Sequence, residues 1–159
     1  MNSKNKGNRF ERKIGAWFTQ WTGFKFERNR AGSGAWHSNK DATSDLTCTD
    51  EKHAHRCKIS IECKNYKDIK FEHVLLGNKT CDILRFWEQA SKDAKRANKL
   101  PILCMRYNSM PANEFFFVVE GGPGTLGDFI WVQTKKPSMT ISTSVNHYLF
   151  LTNDLLETI

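Results

Sequence analysis

Residues 56–64 read Arg-Cys-Lys-Ile-Ser-Ile-Glu-Cys-Lys, and their alternation sets the architecture. Cys57, Ile59, Ile61 and Cys63 fall on one side of an extended chain, and Arg56, Lys58, Ser60, Glu62 and Lys64 on the other, because strand side chains alternate with period two. One side therefore belongs to a core. Upstream, Asp45 to Thr49 reads as a partner strand, joined to Arg56 to Lys64 through the polar turn TDEKHAH, so an antiparallel hairpin is expected.

Working outward, Phe10, Ile14, Trp17, Phe18 and Trp21 recur at helical spacing, which predicts a helix capped by Ser3 or Asn5, ending near Thr22 and stopped by Gly23. Phe24 to Arg28 alternates like a strand, and Arg30 to Ser44 has loop composition. A second helix is expected from Asp82 to about Ala97 with Ile83, Phe86, Trp87, Ala90 and Ala94 inward, followed by a buried strand in PILCMRY. Phe115 to Val119 and Phe129 to Gln133 are further strand candidates around GGPGTLGD, while Ile141 to Ile159 carries no decisive pattern. The order of elements gives an α/β (α+β) fold, a central mixed β-sheet flanked by helices. A length of 159 residues suits a single domain, with no internal repeat or long linker to divide it.

The 24 Lys and Arg against 17 Asp and Glu give a net charge of +7, which suits a polyanionic partner. Residues 1–30 hold Lys4, Lys6, Arg9, Arg12, Lys13, Lys25, Arg28 and Arg30 against only Glu11 and Glu27, so most of the excess lies there. A solvated helix face is the plain explanation of such a run; beside polar candidates for chemistry, contact with nucleic acid ranks ahead of it. Lys6, Arg9, Arg12, Lys13, Arg28 and Arg30 are the expected DNA-binding residues. No apolar run reaches the roughly 20 residues of a membrane span, and MNSKNKGNRF lacks the apolar stretch of a signal peptide. With five cysteines in no disulfide pattern, a reducing, cytoplasmic setting without membrane contact is expected.

Glu62 and Lys64, two apart on a strand, leave the same side of the sheet while Cys63 turns to the core. If the hairpin forms, Asp45 meets Glu62, giving two hard oxygen ligands suited to Mg²⁺, with Mn²⁺ as a substitute and the backbone carbonyl of Cys63 as a third donor. Such a cation neutralises phosphoryl charge and activates water, and a nearby ammonium orients that water and steadies the developing charge. For a Glu-x-Lys taken by itself, an exposed ion pair is the better explanation.

The ordered set Lys6-Gly7-x-x-x-Glu11-Arg12, Arg28, Gly32-Ser33-Gly34, Ser44-Asp45-Leu46 and Ile61-Glu62-Cys63-Lys64 resembles the PD-(D/E)xK nuclease superfamily, and within it the archaeal-type Holliday junction resolvases. The resemblance covers roughly residues 6–105, leaving strands and a tail over about 110–159. It implies a restriction-endonuclease-like fold and a metal-dependent DNA endonuclease with Glu11, Asp45, Glu62 and Lys64 as catalytic residues. Asp45, Glu62 and the Cys63 carbonyl would hold metal, Glu11 a second ion or a bound water, and Ser33 would contact DNA. It further implies a homodimer that cuts four-way junctions in DNA recombination and repair. The alternatives are a restriction-like or DNA-end-processing nuclease of the same superfamily, and a DNA-binding module without catalysis. Ser44 stands where a proline often precedes the aspartate, and Asp41 competes with Asp45 for that place; Leu46 and the residues after it continue a strand, which favours Asp45.

Three weaker signals remain. Cys48, His53, His55 and Cys57 form a zinc-like ligand set of unorthodox spacing, which two inward cysteines and two solvent-facing histidines also explain. Trp36 and His37 are loop candidates for base stacking and phosphate contact. Gln89 is a candidate to face the metal site from its helix.

Overall fold

A computed structural model of the chain describes residues 2–29, 44–75, 81–120, 130–132 and 139–143. The first helix, α1, runs Ser3–Thr22. Its cap is Asn2, one place before the expected Ser3, because the Asn2 carboxamide oxygen accepts from the Lys4 N–H at 3.2 Å. Gly23 ends it with φ of 77°, a left-handed conformation that glycine enters without a Cβ clash, and donates its N–H to Thr19 O.

Strands β1 (Phe26–Arg28) and β2 (Leu46–Cys48) pair antiparallel, with Arg28 opposite Leu46. β2 then pairs antiparallel with β3 (Ile59–Tyr66) through Leu46 and Ile61, so the hairpin is present. Its connection carries a single 3-10 turn, Ala54–Arg56. The short helix α2 (Glu72–Leu75) precedes α3 (Asp82–Arg96), which crosses over to β4 (Leu100–Tyr107). β4 lies parallel to β3 along its whole length, as a strand-helix-strand crossover permits. Asn98, with φ of 55°, turns the chain out of α3; asparagine tolerates that region better than other side chains.

β5 (Phe116–Val119), β6 (Ile130–Val132) and β7 (Met139–Thr143) complete a mixed sheet in the order β1-β2-β3-β4-β5-β7-β6. β7 falls at the start of the C-terminal segment for which the sequence pattern was undecided. Helices flank both faces. Against one, Phe10, Ile14, Phe18 and Trp21 of α1 meet Phe26, Leu46, Ile59, Ile61, Ile102 and Phe117. Against the other, Ile83, Phe86, Trp87 and Ala90 of α3 meet Leu103, Met105 and Val118. The five α3 positions expected inward, Ala94 included, are all buried. This is an α+β fold of restriction-endonuclease type.

One consequence of the second layer concerns β3. The side carrying Ser60, Glu62 and Lys64 does not face water, because α3 lies over it, and Ser60 and Glu62 are each only 5% exposed. The hydrophobic alternation locates one core; the helix that closes the other face comes from residues 82–96. Among the described residues, no helix is long and apolar enough to cross a membrane.

Candidate active site

Asp45 is the residue at the mouth of β2. Its N–H donates to Ile61 O at 3.0 Å and its carbonyl accepts from Asn29 N–H at 2.8 Å, so the backbone is tied to strands on both sides. Its carboxylate reaches across to β3, where Oδ2 accepts the Cys63 N–H at 2.8 Å. Ser44, buried just ahead of it, donates its hydroxyl to Leu46 O at 2.8 Å and braces the entry to the strand. The residue in the usual proline position thus does its fixing by a hydrogen bond.

On β3, Glu62 Oε1 accepts from the Lys64 ammonium at 2.7 Å, and the two side chains are 7% and 18% exposed. These figures exclude an ordinary solvated ion pair. The Lys64 ammonium also lies 5.7 Å from the centre of the Phe86 ring on α3. Gln89, one turn further along α3, brings Nε2 to 3.5 Å from the same Glu62 oxygen.

Burial raises the pKa of Glu62 to about 7, helped by the negative charge of Asp45 and, more weakly, that of Asp93 on α3, and opposed by Lys64. Asp45 is raised as well, first by burial and then by Glu11, against the Cys63 N–H, Lys64 and Arg28. Burial opposes the charge on Lys64, yet the hydrogen bond and charge of Glu62, with the charge of Asp45, outweigh it and raise its pKa. Lys64 therefore stays an ammonium at neutral pH and can donate, but not remove, a proton. Two half-desolvated carboxylates against one ammonium leave an excess negative charge, which a proton or a cation must relieve. Oxygen donors of this kind suit a hard divalent cation, so the residues fit one. The second Asp45 oxygen, the second Glu62 oxygen and the Cys63 carbonyl are the oxygens that could hold one.

Glu11 comes from α1, and its Oε2 is paired with Arg28 Nε of β1. Arg28 also donates through Nη2 to Asn8 Oδ1 at 2.6 Å. Glu11 is close enough to raise Asp45 electrostatically. Arg28, expected among the DNA contacts, is engaged with α1 and keeps Glu11 balanced at the edge of the site. Among the described residues, no three of His, Cys, Asp and Glu gather as a metal-holding group, so Glu11 does not join Asp45 and Glu62 as a third carboxylate at one point.

The same holds for the zinc-like quartet. Cys48 and Cys57 are buried near each other, but His53 is 5% exposed and stacks on the Phe24 ring at 3.7 Å, so it is not the solvent-facing histidine expected; His55 is exposed. Of the other expected contacts, Lys6, Arg9, Arg12 and Lys13 lie on α1, while Arg30, Ser33, Trp36, His37 and Asp41 lie outside the described residues. Asp93, which bears on Glu62 from α3, was missed. Its signal is its spacing of four from Gln89, which places both on one helix face.

A family model described as "Phage putative PDDEXK endonuclease" matches residues 2–121, roughly three quarters of the chain and a span that includes Glu11, Asp45, Glu62 and Lys64. No curated protein and no solved structure matches.

Proposed function

The chain belongs to the phage PDDEXK endonuclease family, and from that premise we propose that it is a Mg²⁺-dependent endonuclease hydrolysing phosphodiester bonds in DNA. The observation that carries the proposal is the buried set of Asp45, Glu62 and Lys64 across β2 and β3, two carboxylates and one ammonium where an idle pair would be solvated. Family members of this superfamily generally use divalent metal ions, and Mn²⁺ is the expected substitute.

In this reading Asp45, Glu62 and the Cys63 carbonyl hold the cation. When bound, it supplies charge neutralisation at the phosphoryl group and a more acidic water. Lys64, fixed by Glu62, donates a hydrogen bond to the attacking water or to a phosphoryl oxygen as negative charge builds there. Gln89 donates to Glu62 and limits its rotation. Glu11, held by Arg28, adds negative charge beside Asp45 and is the group for a second cation or its water.

Asp45→Ala and Lys64→Ala are expected to lose Mg²⁺-dependent cleavage by at least about a hundredfold while retaining DNA binding, since one electrostatic contact to the transition state accounts for that much. Full cleavage by both variants would overturn the assignment. Among DNA substrates, the resemblance to archaeal-type Holliday junction resolvases puts a four-way junction first, cut by a homodimer. Cleavage mapped on a junction and on linear duplex of matched sequence separates the two: paired nicks near the branch support the junction, and cuts throughout linear duplex remove it.

A further inference from the structure

On the other flank of α1, away from Glu11 and Arg28, lies an open cavity of about 340 Å³ between the helix and the carboxyl ends of β3 and β4. Four cations line it: Lys6, Arg9 and Lys13 from α1 and Arg106 from β4, together with the amides of Asn65 and Asn108. Among the described residues no carboxylate lines it, and none of the four cations forms a salt bridge. Three of them donate instead to neutral carbonyls, and Arg9 is exposed. Lys6 donates to Tyr66 O at 3.2 Å, Lys13 to Ala112 O, and Arg106 to Met110 O and Ala112 O, both at 2.9 Å. Carbonyls fix the positions of Lys6, Lys13 and Arg106 without cancelling their charge.

The result is a held cluster of like charge. Its repulsion is visible at Lys6, whose pKa is lowered by burial and then by Arg106. Asn65 Oδ1, an acceptor, is buried with no hydrogen-bond partner and calls for a donor, so the four cations alone call for an anion. A bound anion supplies what the cluster lacks. The cavity also stands in register with the candidate active site. Asn65 follows Lys64 on β3 and faces the opposite side of the sheet, so one residue step separates the two. Outside the carboxyl ends of adjacent parallel strands is also where open α/β sheets take their ligands.

We propose that this cavity binds a phosphate of the DNA sugar–phosphate backbone, so that a strand cut at Asp45, Glu62 and Lys64 is anchored across the end of β3 by Lys6, Arg9, Lys13 and Arg106. The proposal rests on the nuclease reading above. It adds Arg106 and Asn108 to the DNA contacts and gives the charge of α1 a definite place. Arg106 also braces the 110–112 turn, so the useful variants are those that leave this brace intact. Asn108→Asp puts a carboxylate into the cavity at an exposed position with almost no change of shape, and Arg9→Gln removes one charge.

Binding of the full chain to a labelled duplex, read by fluorescence anisotropy without divalent cation, tests it. Each variant should bind about tenfold more weakly at unchanged melting temperature, and Arg9→Gln should lower the slope of log affinity against log salt by about one. Unchanged affinity and slope in both folded variants would overturn the site. A covalently closed DNA circle should compete as well as linear DNA of the same length; competition confined to 5′-phosphorylated ends would overturn the backbone assignment in favour of a terminal phosphate. Weakened binding by the variants, together with a wild-type protein that cuts nothing with Mg²⁺, would keep this site and remove the nuclease reading. Normal cleavage with unaffected binding would do the reverse.

Discussion

Glu62 sits at 5% exposure with Lys64 on one oxygen and the charge of Asp45 nearby, and its behaviour with pH follows from that position. In the unfolded chain its carboxyl titrates near 4.5, and in the folded protein near 7, so between those values the native state binds the extra proton. The stability this gives is complete below about pH 4.5 and is lost as pH rises through 7. The effect is at most about 3 kcal/mol. For the cation-free protein, the melting temperature of Glu62→Gln relative to wild type should therefore climb between pH 5 and 8. A flat difference would mean that Glu62 is not held in its raised state. The same logic makes divalent-cation affinity, measured calorimetrically, fall as pH drops below about 7, because protons compete for the same oxygens.

At the scale of elements, α1 matters for how closely it lies on β1. A Cβ added at Gly15 would come 3.2 Å from Phe26 O and 3.5 Å from the Leu46 side chain, tighter than a strand backbone readily allows. Gly15→Val is therefore expected to lift α1 from β1 and destabilise the protein by about 1–3 kcal/mol in urea unfolding. Because Glu11 and Arg28 span the same junction, the variant should also weaken Mg²⁺-dependent cleavage of the folded fraction. On the opposite face, α3 both covers Glu62 and supplies the largest fully buried side chain among the described residues. Trp87→Ala should cost about 3–5 kcal/mol, checked by the shift in urea midpoint. Wild-type stability in that variant would mean that α3 does not pack as described.

At the scale of the whole molecule, the sheet separates two functions of charge. Acidic groups collect where β2 meets β3, under α3 and beside Glu11, whereas the cationic excess lies along α1 and at the end of β4. A net charge of +7 with this distribution makes DNA affinity steeply salt-dependent, and affinity should drop at least about tenfold between 50 and 200 mM salt in anisotropy titrations. A salt-independent affinity would mean that the basic flank of α1 is idle. Family membership and the buried carboxylates agree on nuclease chemistry.

Periodicity made α1, α3, the hairpin and the buried strand over residues 101–107 legible in the sequence, because a helix or strand facing a core must repeat its apolar residues at the spacing of its own backbone. The motifs also brought Asp45, Glu62 and Lys64 into view, since register places them and register follows local alternation. Tertiary structure alone decided that Glu62 and Lys64 lie under α3 rather than in water, that Arg28 is held by Glu11 and Asn8, that His53 stacks on Phe24, and that Arg106 joins Lys6, Arg9 and Lys13 around one cavity. The reason is physical. Alternation along one strand fixes which side a residue faces, but the cost of charge on that side depends on what another, distant segment lays over it.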